Sequence, residues 1–129
     1  MRICGVEIKS NNAIVSVVDD GQYLDLKIKK LVLEDDEIQA NIVSFKKNLE
    51  DFIAKNNIEK IIIKKRSKKG NFAGGAVTFK IETIIQLNSI CEVTFVSPQA
   101  LSKFEKKIEV NYPKELNKYQ EQSYLCCLV

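Results

Sequence analysis

The amino-acid sequence predicts an α/β fold in which helices cover both faces of a five-stranded mixed sheet. Three short strand-like segments come first, and helical and strand-like segments alternate after residue 34. Residues 61–63 are three consecutive isoleucines, which is typical of an inner strand buried on both faces. We therefore expect the strand order 3-2-1-4-5, with the fourth strand parallel to the first.

The first three predicted strands form an antiparallel meander. Residues 2–9 and 12–18 are rich in β-branched side chains, and the turn-prone pair Ser10 and Asn11 separates them, as in a β-hairpin. In residues 22–33, apolar side chains alternate with charged ones. This alternation predicts a third strand with one face in water.

After residue 34 the spacing of apolar residues changes from two to three or four, which predicts an amphipathic helix over residues 37–55. The same patterns predict the later elements. These are a strand at residues 58–63, a helix at 76–87, a strand at 93–96, a helix that begins at Pro98 and a last helix that runs onward from Pro113.

The composition excludes several classes of protein. The 129 residues, of which 45% are hydrophobic and 29% charged, are expected to form one domain over residues 1–129. No apolar run approaches the roughly 20 residues that span a bilayer, and no export signal is visible, so we expect a cytoplasmic protein without a membrane partner. The sequence contains no histidine, which excludes Ser-His-Asp triads, Cys-His nucleophile pairs and His-ligated zinc.

The four cysteines do not have the spacing of a metal or redox site. Cys4 and Cys91 are isolated, and Cys126 and Cys127 are adjacent, so that no CxxC pair occurs. We expect four reduced thiols, most of them buried.

Positive charge is concentrated in one segment. The net charge is +3, but residues 60–69 carry six basic side chains and no acid, which leaves −3 for the rest of the chain. Lysines attract anions and glycines let a backbone approach a ligand, so the predicted loop over residues 64–75 is a candidate phosphate-binding site. The alternative is a close strand-to-helix turn with a solvated basic rim. The candidate binding residues are Lys64, Lys65, Arg66, Lys68, Lys69, Gly70, Gly74 and Gly75.

Three segments resemble known proteins. The opening MRICGVE, residues 1–7, resembles the first strand of Holliday-junction resolvases of the RuvC type, and TFVSPQAL, residues 94–101, resembles their fifth strand with its turn into a helix. The segment KKGNFAGGAV, residues 68–77, resembles the recurring motif of a small uncharacterised bacterial family of RuvC-like domains, and this similarity spans nearly the whole chain. The resemblance implies a ribonuclease H-like fold.

The resemblance also implies a nuclease site in which carboxylates from separate elements hold Mg²⁺ ions. Glu7 matches the position of the first metal-binding, catalytic carboxylate. Glu121 is the candidate for the third, with Glu115 as the weaker alternative. At the end of the fourth strand, where the second carboxylate is expected, the chain carries lysines. We expect Lys65 to occupy the metal position there and to neutralise Glu7.

Three functions are compatible with the sequence. The first is a nucleic-acid-associated RuvC-like domain for DNA or RNA, either a weak Mg²⁺-dependent endonuclease or, as the missing carboxylate favours, a phosphate-backbone binder that has lost catalysis. The second is a non-catalytic protein-interaction or assembly domain that forms a homodimer. The third is an actin-like nucleotide-binding domain, although the first hairpin lacks the glycine-rich turn that such a phosphate site needs.

Overall fold

The computed structural model describes residues 1–66 and 75–129, and within these it forms six strands and four α-helices. The strands are β1 (Arg2–Lys9), β2 (Asn12–Asp19), β3 (Gln22–Leu24), β4 (Lys30–Val32), β5 (Lys60–Lys64) and β6 (Glu92–Val96). The helices are α1 (Gln39–Lys55), α2 (Ala76–Gln86), α3 (Pro98–Lys107) and α4 (Glu121–Leu128), and a single 3₁₀ turn at Lys118–Gln120 leads into α4.

The sheet confirms the predicted fold class. Its order is β3-β2-β1-β5-β6, with β1 antiparallel to β2 and parallel to β5, and β5 parallel to β6. β4 also pairs with β2. β3 pairs with residues 17–19 of β2, and β4 pairs with residues 12–14 of the same strand. Counted along the predicted strands, this is the expected order 3-2-1-4-5.

The predicted third strand, residues 22–33, is two strands instead of one, so the sheet has six strands and not five. Between β3 and β4 the chain forms a local loop instead of a continuous strand. Lys29 makes an ion pair with Asp25 at 3.0 Å, and its ammonium also donates to the carbonyl of Leu26 at 2.6 Å. Apolar alternation continues through this loop, which explains why the sequence pattern did not reveal the break.

The two faces of the sheet are covered by different helices. Alternate β1 side chains, those of Cys4, Val6 and Ile8, belong to one buried cluster with residues of α1 and α2. On the opposite face, Ile62 of β5 packs with residues of α3 and α4. Helices therefore cover both faces, as predicted, and β1 and β5 lie in the interior.

Two predicted helix starts differ from the structure. α1 begins at Gln39, two residues after the predicted start. The last helix begins at Glu121 and not at Pro113, because the preceding segment is held by the Gln120 side chain. Gln120 accepts a hydrogen bond from the Asn117 backbone at 3.0 Å and donates one to the carbonyl of Val15 at 3.1 Å.

All four cysteines are free thiols, and three of them, Cys4, Cys126 and Cys127, are buried. Burial raises the pKa of the Cys126 thiol to about 12, and it raises the pKa of the Cys4 thiol as well. The prediction that most of the thiols are buried is confirmed. Among the helices of the described segments, none is both long and apolar enough to cross a bilayer.

Candidate functional site

The candidate site lies at one edge of the sheet, where β1 and β5 both end. Parallel strands present their carboxyl ends at the same edge, and ligands of open α/β sheets bind there. The β1–β5 register pairs Val6 with Ile63, which brings the next residues of the two strands, Glu7 and Lys64, side by side. Both side chains lie on the face that α4 covers. Lys64 follows Ile62 of that face by two residues, and Glu7 lies between Val6 and Ile8, whose side chains belong to the opposite face.

Gly5 allows α4 to lie directly on β1. A Cβ atom at residue 5 would stand 1.8 Å from the carbonyl oxygen of Ser123 and 2.9 Å from the Cβ of Cys126. Only a residue without a side chain permits this approach. The consequence for the site is that Gln122, next to Ser123, comes within reach of the strand ends.

Glu7, Lys64 and Gln122 form one connected group. The Lys64 ammonium lies 3.4 Å from Oε2 of Glu7 and donates a hydrogen bond to Oε1 of Gln122 at 2.9 Å. The Glu7 side chain is only 4% exposed and that of Lys64 is 19% exposed. Burying a carboxylate is costly unless it is paired, and the ammonium supplies that pairing. The second Glu7 oxygen, Oε1, is buried and has no hydrogen-bond partner among the described residues.

An open cleft of about 630 Å³ adjoins this group. Acidic, amide, aromatic and basic side chains form its walls: Glu7, Lys9, Asn117, Lys118, Tyr119, Glu121 and Gln122. The structure therefore brings together Glu7 and Glu121, which lie 114 positions apart in the sequence. It also places Lys9 and Lys118 beside them.

The predicted contact between Lys65 and Glu7 is wrong, because the ammonium beside Glu7 belongs to Lys64. Strand alternation gives the reason: Lys64 is the last residue of β5 and shares the α4 face with Ile62, whereas Lys65 follows the strand and is exposed. The Lys65 backbone instead donates to the carbonyl of Val96 at 2.8 Å. The period of two from Ile62 was the signal that could have distinguished the two lysines.

The basic segment continues from this edge of the sheet. Lys65 and Arg66 come directly after β5, and Gly75 is the exposed N-cap residue of α2. The remaining predicted phosphate-binding residues, Lys68, Lys69, Gly70 and Gly74, lie outside the described residues. Of the predicted binding loop, the structure thus places Lys64, Lys65, Arg66 and Gly75.

The Gln122 amide was missed by sequence reasoning, which considered only its neighbour Glu121. A glutamine on a short helix carries no signal of its own. Its role becomes visible only when the close approach at Gly5 puts Gln122 next to Lys64, 58 positions away in the sequence.

The described residues at this edge do not fit a pair of divalent metal ions. Such a pair needs several carboxylates around it, because hard cations prefer anionic oxygen ligands. In residues 1–66 and 75–129, no group of three or more His, Cys, Asp or Glu side chains is close enough together to hold a metal ion. The Lys64 ammonium, next to Glu7, would repel a cation at that carboxylate.

The sheet order and the helix on β1 define a RuvC-like member of the ribonuclease H-like fold class, and solved structures agree. A Thermus thermophilus RuvC structure matches with a TM-score of 0.64 and 9% identity, over 89% of this chain and 75% of that chain. T. thermophilus RuvC in complex with Holliday junction substrate matches with a TM-score of 0.64 and 8% identity, over 98% and 90%. A fowlpox virus resolvase in complex with its Holliday junction DNA substrate matches with a TM-score of 0.52 and 20% identity, over 99% and 95%.

The chain belongs to the family described as "Protein of unknown function (DUF3010)", which matches residues 1–129. No curated protein sequence matches it. At these identities the solved structures establish the fold of the chain, and the resemblance to RuvC-type resolvases is confirmed at that level.

Proposed function

We propose that this protein is a nucleic-acid-binding RuvC-like domain that holds the phosphate backbone without cutting it. The observation that carries the proposal is the ion pair of Lys64 with the buried Glu7, at an edge of the sheet that is otherwise rich in basic residues. A lysine ammonium can hold a phosphate, but it cannot activate a water molecule for hydrolysis as a metal ion does.

The charges around the site favour an anionic partner. Lys9 and Lys118 line the cleft, and Lys65 and Arg66 follow β5 at the same edge. The carboxylate of Glu7 is already compensated by Lys64, so Glu121 is the remaining acid of the cleft wall. A cluster of this kind binds a backbone through its charge and gives little sequence specificity.

The structural neighbours support the nucleic-acid part of the proposal. Two of them, RuvC and the fowlpox virus resolvase, are in complex with Holliday junctions. The Mg²⁺ site that the sequence resemblance implied does not carry over to this chain, since its described residues lack a set of carboxylates that fits Mg²⁺. We therefore expect binding that does not depend on a divalent ion.

The test compares two double variants that remove the same charge. Lys65→Ala with Arg66→Ala removes two basic residues from the sheet edge, whereas Lys106→Ala with Lys107→Ala removes two exposed lysines from the far end of α3. Fluorescence anisotropy with labelled duplex, junction and single-stranded oligonucleotides measures affinity over a range of salt concentrations. Removing one lysine–phosphate or arginine–phosphate contact should lower the log–log salt slope on duplex DNA by about 0.9.

We expect the sheet-edge variant to bind oligonucleotides more weakly and with a flatter salt slope, whereas the α3 variant should match the unmodified protein. EDTA should leave the affinity of both variants unchanged. Gel assays with Mg²⁺ or Mn²⁺ should show no cleavage above background. Robust cleavage that Glu7→Gln abolishes would overturn the metal-free mechanism. Absence of salt-dependent binding to every oligonucleotide would overturn the proposal itself and favour the protein-interaction or homodimer hypothesis.

A further inference from the structure

Among the described residues the Lys64 ammonium has two hydrogen-bond partners, which leaves one of its donors unused. An ammonium group has three N–H donors. Two of them are directed at Oε2 of Glu7 and Oε1 of Gln122, at 3.4 Å and 2.9 Å. Both partners line the 630 Å³ cleft, and the Lys64 side chain keeps 19% of its surface exposed. Lys64 does not itself line the cleft, but its two partners do, so a ligand that lies against Glu7 and Gln122 is next to the ammonium and can accept the third hydrogen bond.

We propose that the cleft is a binding site for a phosphate group, with the Lys64 ammonium as its inner donor and Glu7 as a built-in counter-ion that limits its strength. This inference rests on the proposed function and names the ligand group that the cleft takes. Lys9 and Lys118 stand in the cleft wall, where they can contact the outer oxygens of the same phosphate.

Burial makes Glu7 an effective counter-ion. Salt and water screen exposed charges, but they screen a carboxylate that is 4% exposed much less. A phosphate in the cleft therefore meets a positioned N–H donor whose charge is largely cancelled. Removing the Glu7 charge should free the full charge of Lys64, so the variant should bind phosphate more tightly. A metal-binding carboxylate would give the opposite result, because its removal takes away a ligand of the ion.

The decisive variant is Glu7→Gln, and Glu121→Gln is its matched control. Both substitutions remove one negative charge from the wall of the same cleft and preserve the shape of the side chain. Glu121 takes part in none of the ion pairs of the described residues, so its replacement frees no ammonium. We expect Glu7→Gln to tighten oligonucleotide binding about tenfold, the value of one charge-assisted hydrogen bond, and to steepen the duplex salt slope by about 0.9.

A double-mutant cycle shows whether the increase in oligonucleotide affinity depends on Lys64. In a Lys64→Gln background, Glu7→Gln should increase the affinity for the oligonucleotide no more than Glu121→Gln does. Equal gains from Glu7→Gln and Glu121→Gln in the unmodified background would overturn the inference, while the proposed function would stand as long as the unmodified protein binds. If the unmodified protein binds no oligonucleotide even at low salt, the proposed function fails first.

A measurement on the unmodified protein guards against misfolding of the variants. The side-chain ¹⁵N resonance of Lys64 can be followed by NMR during titration with inorganic phosphate and, separately, with a short oligonucleotide. A shift with both probes identifies a site for any phosphate, and a shift with the oligonucleotide alone identifies a site for the backbone. No shift with either probe, while anisotropy reports binding, places the phosphate elsewhere and overturns the inference.

Discussion

Replacing Gly5 by alanine tests whether the close contact between β1 and α4 builds the site. The added Cβ would lie 1.8 Å from the carbonyl oxygen of Ser123, where contacts below 3.0 Å essentially do not occur, so α4 must retreat by about 1.2 Å. The obstructing atom belongs to the backbone, and a rotamer change cannot move it. The shift also loosens Leu125 and Cys126, which are fully buried against the sheet. We expect the free energy of unfolding to fall by about 3 kcal/mol, at the upper end for overpacked cores.

Urea denaturation followed by circular dichroism measures this decrease, and Gly75→Ala is the matched control. An added Cβ at Gly75 meets nothing within 4 Å, so its effect should stay below about 1 kcal/mol. The same retreat should draw Gln122 away from Lys64 and change the oligonucleotide affinity of whatever fraction remains folded. A Gly5→Ala protein as stable as the Gly75→Ala control would show that α4 does not lie on β1 as described.

Two further predictions concern buried ionisable groups. Lys64→Ala should lower the free energy of unfolding by about 3 kcal/mol, because it leaves Glu7 buried without a counter-ion. Adding Glu7→Gln should restore most of that free energy. Urea denaturation of the single and the double variant measures both changes. Burial raises the pKa of the Cys126 thiol from 9.0 to about 12, so above pH 9 the unfolded chain releases a proton that the folded chain keeps. This thiol should therefore lower the free energy of unfolding by up to about 1.4 kcal/mol per pH unit between pH 9 and 12, and have no effect below pH 9. Denaturation at pH 8 and pH 10 checks the slope, and Cys126→Ala should remove its share of it; an equal slope in that variant would contradict the reasoning.

Local patterns in the sequence determined the order of the elements. The hairpin around Ser10, the amphipathic α1 and the buried β5 follow from apolar spacing and turn residues, which depend only on near neighbours. The same reasoning placed Glu7 on the first strand, two residues after a glycine, and concentrated the basic residues after β5. The parallel pairing of β1 with β5 also followed, since the helix between them requires a crossover.

The tertiary structure alone decided which side chains meet. Lys64 rather than Lys65 contacts Glu7 because of the exact β1–β5 register, and Gln122 joins them because α4 rests on Gly5. Each of these contacts links residues that are at least 57 positions apart, and no local period encodes such a distance. The late start of α4 has the same origin, since the hydrogen bonds of Gln120 to β2 hold the preceding segment out of the helix. The sequence thus indicated which elements form, whereas the packing of one helix on one strand decided what chemistry their ends can perform.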